Sequence, residues 1–161
     1  MNILAIDPGF GRVGIAVIRA RTSENPAEKL LYSDCFKTDS RLDLHTRISR
    51  IGSEVARVIR AYDPKLLGIE TLLWNTNQKT AMGVAEARGV IIYEAMKNGL
   101  TVCEYTPLQV KTAVAGYGKA DKAQVAFMTE KLIAIRKNIR HDDEMDAIAI
   151  ALTCSASYRA R

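Results

Sequence analysis

The chain has 161 residues, 48% of them apolar and 25% charged, and a formal net charge of +5. That size suits one folded domain with a core of its own, and the composition excludes disorder, collagen and coiled coil. No apolar run approaches the roughly 18 residues of a membrane helix. The start of the chain lacks the basic segment and cleavage site of a secretory signal, so a single cytoplasmic domain over residues 1–161, away from any membrane, is the expectation. Cys35, Cys103 and Cys154 are far apart and form no C-x-x-C, and they read as buried free thiols rather than a disulfide or a zinc site.

Residues 2–7, NILAID, form a short apolar strand that ends in an acid. The next stretch, GFGRVG, matches the dinucleotide fingerprint G-x-G-x-x-G letter for letter. That fingerprint works only where a helix opens on the glycines, because the pyrophosphate sits at the helix N-terminus. Here RVGIAVIRA follows, rich in β-branched residues and without a helical stripe, so a second strand is expected and the glycines make a tight turn. The chain is also too short for a second nucleotide-binding half, or for the paired domains of the actin and sugar-kinase ATPases.

RTSENPAE is a polar turn, and KLLYSDCFKT reads as a third strand completing an antiparallel meander. From Leu44 to Tyr62 the apolar residues recur at spacings of three and four, predicting an amphipathic helix stopped by Asp63-Pro64. KLLGIE is another short buried strand closing on an acid, and TLLWNTNQ is a loop. A helix over 79–98 carries small residues (Ala81, Gly83, Ala85, Ala87, Gly89) that would admit a second backbone, and Gly99 caps it. TVCEY is the fifth strand, and Pro107 opens a helix at its first turn. After the loop AGYGKADK, helices are expected over 122–135 and 143–155. The order predicts an α/β domain whose five-stranded mixed sheet has three antiparallel strands and two parallel additions, flanked by helices.

The acids carry the chemistry. Asp7 and Glu70 each end an otherwise apolar strand, where an unpaired carboxylate is costly to bury. At the carboxyl ends of neighbouring parallel strands they would share one rim of the sheet, where α/β proteins place their sites. In HDDEMDAIAIALTC, Asp143 and Asp146 share a helix face. Asp142 or Asp143 could be simple capping acids, but Asp146 lies beyond the first turn and directly before an apolar run. Four converging carboxylates repel unless a divalent cation neutralises them. An oxygen-only ligand set selects Mg²⁺ or Mn²⁺ over zinc, and two such ions can cleave a phosphodiester. From 105 to 140 the chain has seven Lys/Arg against Asp121 and Glu130, a segregation that points to nucleic acid. From residues alone, the chain reads as a Mg²⁺-dependent nuclease.

IDPG after the first strand, IE closing the fourth, EARGV in the long helix, QVK near Gln109 and DDEMDAIAIA together resemble the RuvC-type Holliday junction resolvases in order and spacing over nearly the whole chain. The resemblance implies a ribonuclease H-like fold and a homodimer that nicks opposing strands of a four-way DNA junction symmetrically. It further implies two Mg²⁺ ions per site, with Mn²⁺ as a substitute, a role in recombination and repair, and branch-migration partners of the RuvAB type. By position, Asp7, Glu70, Asp143 and Asp146 match the metal-binding acids, although some members have histidine at the place of Asp143. Lys111 and Lys122 match basic residues near the scissile phosphate, and Lys119 joins them as a DNA contact. The family's aromatic residue three places after the glutamate is Leu73 here, with Trp74 next to it, so Trp74 is the candidate for stacking on a base. The helix with Gly83, Ala87 and Gly89 resembles the dimer-facing element. The alternatives are another ribonuclease H-like nuclease, of the RuvX/YqgF type acting on RNA or one of relaxed specificity for branched DNA, and a junction-binding module without catalysis.

Overall fold

The computed structural model describes residues 1–72 and 78–159. Its sheet has five strands: β1 (Asn2–Asp7), β2 (Arg12–Arg19), β3 (Lys29–Lys37), β4 (Leu66–Glu70) and β5 (Thr101–Tyr105). They lie in the order β3-β2-β1-β4-β5. β1 with β2 and β2 with β3 are antiparallel, while β1 with β4 and β4 with β5 are parallel, as the sequence predicts. The helices are α1 (Leu44–Tyr62), α2 (Gln78–Lys97), α3 (Pro107–Ala115), α4 (Lys122–Leu132) and α5 (Asp142–Arg159). Among the described residues no helix is long and apolar enough to cross a membrane.

β1 is apolar from Ile3 to Ile6 because both faces of the sheet are covered there. Ile3 and Ala5 join the cluster under α3, α4 and α5, whereas Leu4 and Ile6 join the one under α1 and α2. α1 turns Ile51, Val55, Val58 and Ile59 inward, and Asp63 ends it in the left-handed conformation at φ 43°. α5 is buried on every side from Ala147 to Cys154 except for a sliver of Leu152, which is why its middle reads as an unbroken apolar run. α3 and α4 each open on a capping box, Thr106 with Gln109 and Asp121 with Gln124, so local chemistry sets both starts.

Several elements differ from expectation. α4 stops at Leu132 rather than 135, because Ile133 turns extended and buries its side chain. α5 runs from Asp142 to Arg159, longer at both ends than 143–155. Gly9 belongs to the turn after β1, but Gly14 is inside β2, paired with Asp7 and Cys35. A Cβ on Gly14 would lie 1.8 Å from the Asp143 carbonyl oxygen, so this glycine serves the close approach of α5 to the sheet. Ala81, Gly83 and Ala87 are buried against their own domain, Gly83 beneath the Phe10 ring, whereas Ala85 and Gly89 are exposed. Cys35 and Cys154 are buried free thiols, whereas Cys103 is half-buried.

Candidate active site

Parallel pairing of β1 with β4 sets Ile6 beside Ile69, so Asp7 and Glu70 leave the sheet side by side at one rim. α5 packs across β1 and β2 and brings Asp146, in its second turn, to that rim. The three carboxylates line a cavity of about 280 Å³, together with Lys111 and Lys122. Thus five residues picked from the sequence, each on a different element, meet at one place. Lys122 opens α4, and its Nζ lies 3.1 Å from Asp142 Oδ2 and 3.2 Å from Asp146 Oδ2.

Asp143 is arranged differently. Its carboxylate is not a wall of the cavity; Arg12 Nε lies 3.1 Å from Oδ2, with the Cys35 thiol 3.9 Å away. It is nevertheless near enough to raise the pKa of Asp7. Lys119 is exposed and outside the cavity walls. Leu73 and Trp74 lie outside the described residues. His141 borders an adjoining groove instead of the cavity.

The electrostatics are those of an undercompensated acid cluster. Burial pushes the Asp7 carboxyl up to about 8, helped by Asp146, Glu70 and Asp143 and opposed by Lys122. Burial and Asp146 likewise raise Glu70. Asp146 is raised by burial against the pull of Lys122. One lysine does not neutralise three buried carboxyls, and further positive charge is what would let all of them ionise. An oxygen-only donor set of this kind fits a hard divalent cation. Among the described residues no three such groups already stand close enough together to hold a metal ion, and the acids line an open cavity.

The adjoining groove, about 720 Å³, shares Lys122 and Asp146 with the cavity and runs between α4 and residues 135–142. Lys131, Arg140 and His141 line it, as does Phe127, which is 57% exposed and has Lys131 Nζ 5.2 Å from its ring centroid. Charge segregation flagged this segment in the sequence. Nothing flagged Phe127, because α4 lacks an apolar stripe that would separate inward from outward positions. Arg12 and Arg88 were also missed; Arg88 stands inside the quoted EARGV, but its partners are distant in sequence.

A ribonuclease H-like sheet with acids at its rim and a basic flank defines a metal-dependent nuclease. Residues 3–154 match the family described as crossover junction endodeoxyribonuclease RuvC, and the chain belongs to that family. It is 42% identical over 158 residues to the crossover junction endodeoxyribonuclease RuvC of Moorella thermoacetica, covering 98% of this chain and 92% of that one. It is 39% identical to the protein of the same name from Syntrophomonas wolfei, at 99% and 91% coverage. Among solved structures, it resembles Thermus thermophilus RuvC with a TM-score of 0.90 at 30% identity, covering 99% and 96% of the two chains. The Thermus protein in complex with Holliday junction substrate gives a TM-score of 0.91 at the same identity and coverage.

Proposed function

We propose that this chain resolves four-way DNA junctions by paired, symmetric nicks through Mg²⁺-dependent phosphodiester hydrolysis, in homologous recombination and DNA repair. The observation that carries the reading is the convergence of Asp7, Glu70 and Asp146 with Lys111 and Lys122 on one cavity beside a basic groove. Family membership and the junction-bound Thermus relative support the substrate.

Asp7, Glu70, Asp143 and Asp146 are the residues that would hold two Mg²⁺ ions, with Mn²⁺ able to substitute. Held by these carboxylates, such ions would supply Lewis-acid activation of a water and charge stabilisation for the leaving oxygen of the phosphodiester. The chain's own residues must rearrange for this. Asp7 gives up its proton, and Asp143 leaves Arg12 to face the cavity. Lys122 lets go of Asp146, which frees its ammonium for the scissile phosphate. Lys111, in the same cavity, adds charge stabilisation in the transition state. The groove carrying Lys131, Arg140, His141 and Phe127 offers cations to the backbone and an aromatic face to a base. Lys119, Leu73 and Trp74 are further proposed DNA contacts.

Residues 1–161 act as one domain, and two copies pair through α2, whose outward side exposes Met82, Gly89, Tyr93 and Met96. A two-fold dimer presents two acid clusters to two opposing strands. Its substrate puts its work in the cytoplasm, beside branch-migration proteins of the RuvAB type.

The test is a mobile four-way junction incubated with Mg²⁺, with nicks mapped on all four strands. Symmetric nicks on one opposing pair are the expected result. Scattered nicks on any branched DNA, cleavage of RNA in place of the junction, or binding without cutting under every divalent ion would overturn it.

A further inference from the structure

Arg88 is a partly buried cation that the site described above leaves without a role; its side chain is only 17% exposed. It sits on α2, and its Nε donates to the backbone carbonyl of Glu70 at 3.1 Å. Its Nη2 meets the Glu104 carboxylate of β5. In the sheet register Glu104 pairs with Ile69, and Tyr105 pairs with Glu70. One guanidinium therefore ties α2 to the ends of both β4 and β5.

The place it holds matters. β4 ends at Glu70, beyond which Thr71 N–H donates to the Tyr105 carbonyl at 2.9 Å. The Thr71 hydroxyl is buried with no hydrogen-bond partner among the described residues, so it adds nothing to the anchoring. At a strand end the backbone dihedrals of the last residue set the direction of its side chain, and here those dihedrals are constrained through the carbonyl that Arg88 grips. The planar guanidinium is suited to this: it offers donors in fixed directions to two acceptors at once, which a lysine ammonium on a flexible stem does less well. Glu104 neutralises the partly buried charge and keeps the fork aimed.

We propose that Arg88 is a positioning residue that fixes the backbone of Glu70, so that the Glu70 carboxylate stays on the cavity it shares with Asp7 and Asp146, with Glu104 as its orienting partner. The proposal rests on the reading of Glu70 as a metal ligand. Outer partners that orient metal ligands typically cost about 10–100-fold in metal affinity when removed.

The experiment uses the full-length protein and Mn²⁺ as the probe, with bound and free ion separated by electron paramagnetic resonance. Arg88→Lys, Glu104→Gln, their double variant and Glu70→Gln are compared with the parent. Arg88→Lys is expected to weaken Mn²⁺ binding about tenfold. Its cutting recovers as Mg²⁺ is raised, and junction affinity without divalent ions stays unchanged. Glu104→Gln shifts Mn²⁺ affinity the same way by less, and the double variant is no worse than Arg88→Lys, since both act through one contact. Should Arg88→Lys fail to fold, the Glu104→Gln shift alone decides, because that exposed carboxylate is dispensable for the core. Unaltered Mn²⁺ binding in the folded variants, with Glu70→Gln impaired, overturns the role of Arg88 while sparing the metal site. Unaltered binding in Glu70→Gln itself overturns both.

Discussion

Asp7 is stable in one protonation state and useful in the other. Its carboxyl is pushed up to about 8 in the folded, metal-free chain, against about 3.9 in an unfolded one. Between those values the folded state holds a proton that the unfolded state has released. The stability associated with the buried neutral acid is therefore full below pH 4 and declines as pH rises toward 8. Asp7→Asn, neutral throughout, is expected to abolish junction cutting in Mg²⁺. The same change should raise the melting temperature of the metal-free protein at pH 8 by several degrees, the two curves converging toward pH 4. Calorimetry across that range checks the sign. Because a cation must displace this proton, Mn²⁺ affinity is expected to rise about tenfold per pH unit between 6 and 8, then flatten. Titrations at fixed ionic strength measure it. Lys122 answers the acids from the other side. Burial works against its charge, but Asp146 and Asp142 hold its ammonium above the ordinary lysine value. Lys122→Gln is expected to slow cutting by roughly 100-fold at saturating junction, read from single-turnover rates, with junction binding reduced far less.

At the scale of elements, the site depends on how closely α5 approaches the sheet. β2 passes under the first turn of α5 at Gly14, where any Cβ would overlap the Asp143 carbonyl oxygen. Backbone gives way less readily than a side-chain tip, so Gly14→Ala must lift the turn that carries Asp143 and starts toward Asp146. The expected cost is about 1–3 kcal/mol in stability and a loss of cutting larger than the lost folded fraction explains; chemical denaturation and nicking rates on the same preparation separate the two. The strands that deliver Asp7 and Glu70 were legible in sequence, since an apolar run closed by an acid is a strong local pattern. α1 was legible to the residue, as its stripe and its Asp63-Pro64 stop are both local. The end of α4 was not, because Ile133 leaves the helix to reach a core that the helix itself does not define. Nor was Gly14, whose neighbour Asp143 lies far along the chain.

For the whole molecule, the proposed assembly turns on α2. Its inward side holds Gly83, Ala87 and Arg88, and its outward side exposes Met82, Tyr93 and Met96 around Gly89, which has nothing within 4 Å. Tyr93→Glu is expected to convert the proposed dimer to monomer in light scattering and to replace paired nicks with single, unsynchronised ones. Periodicity, acid-terminated strands and capping residues are relations between near neighbours, and from them the sequence alone determined the order of the elements, the mixed sheet and the acids to consider. Only the tertiary structure decided that Asp143 rests against Arg12, which face of α2 remains free, and that Arg88 grips Glu70. Each of those depends on groups brought together from distant parts of the chain, where packing and charge compensation choose the partner and no local pattern records it.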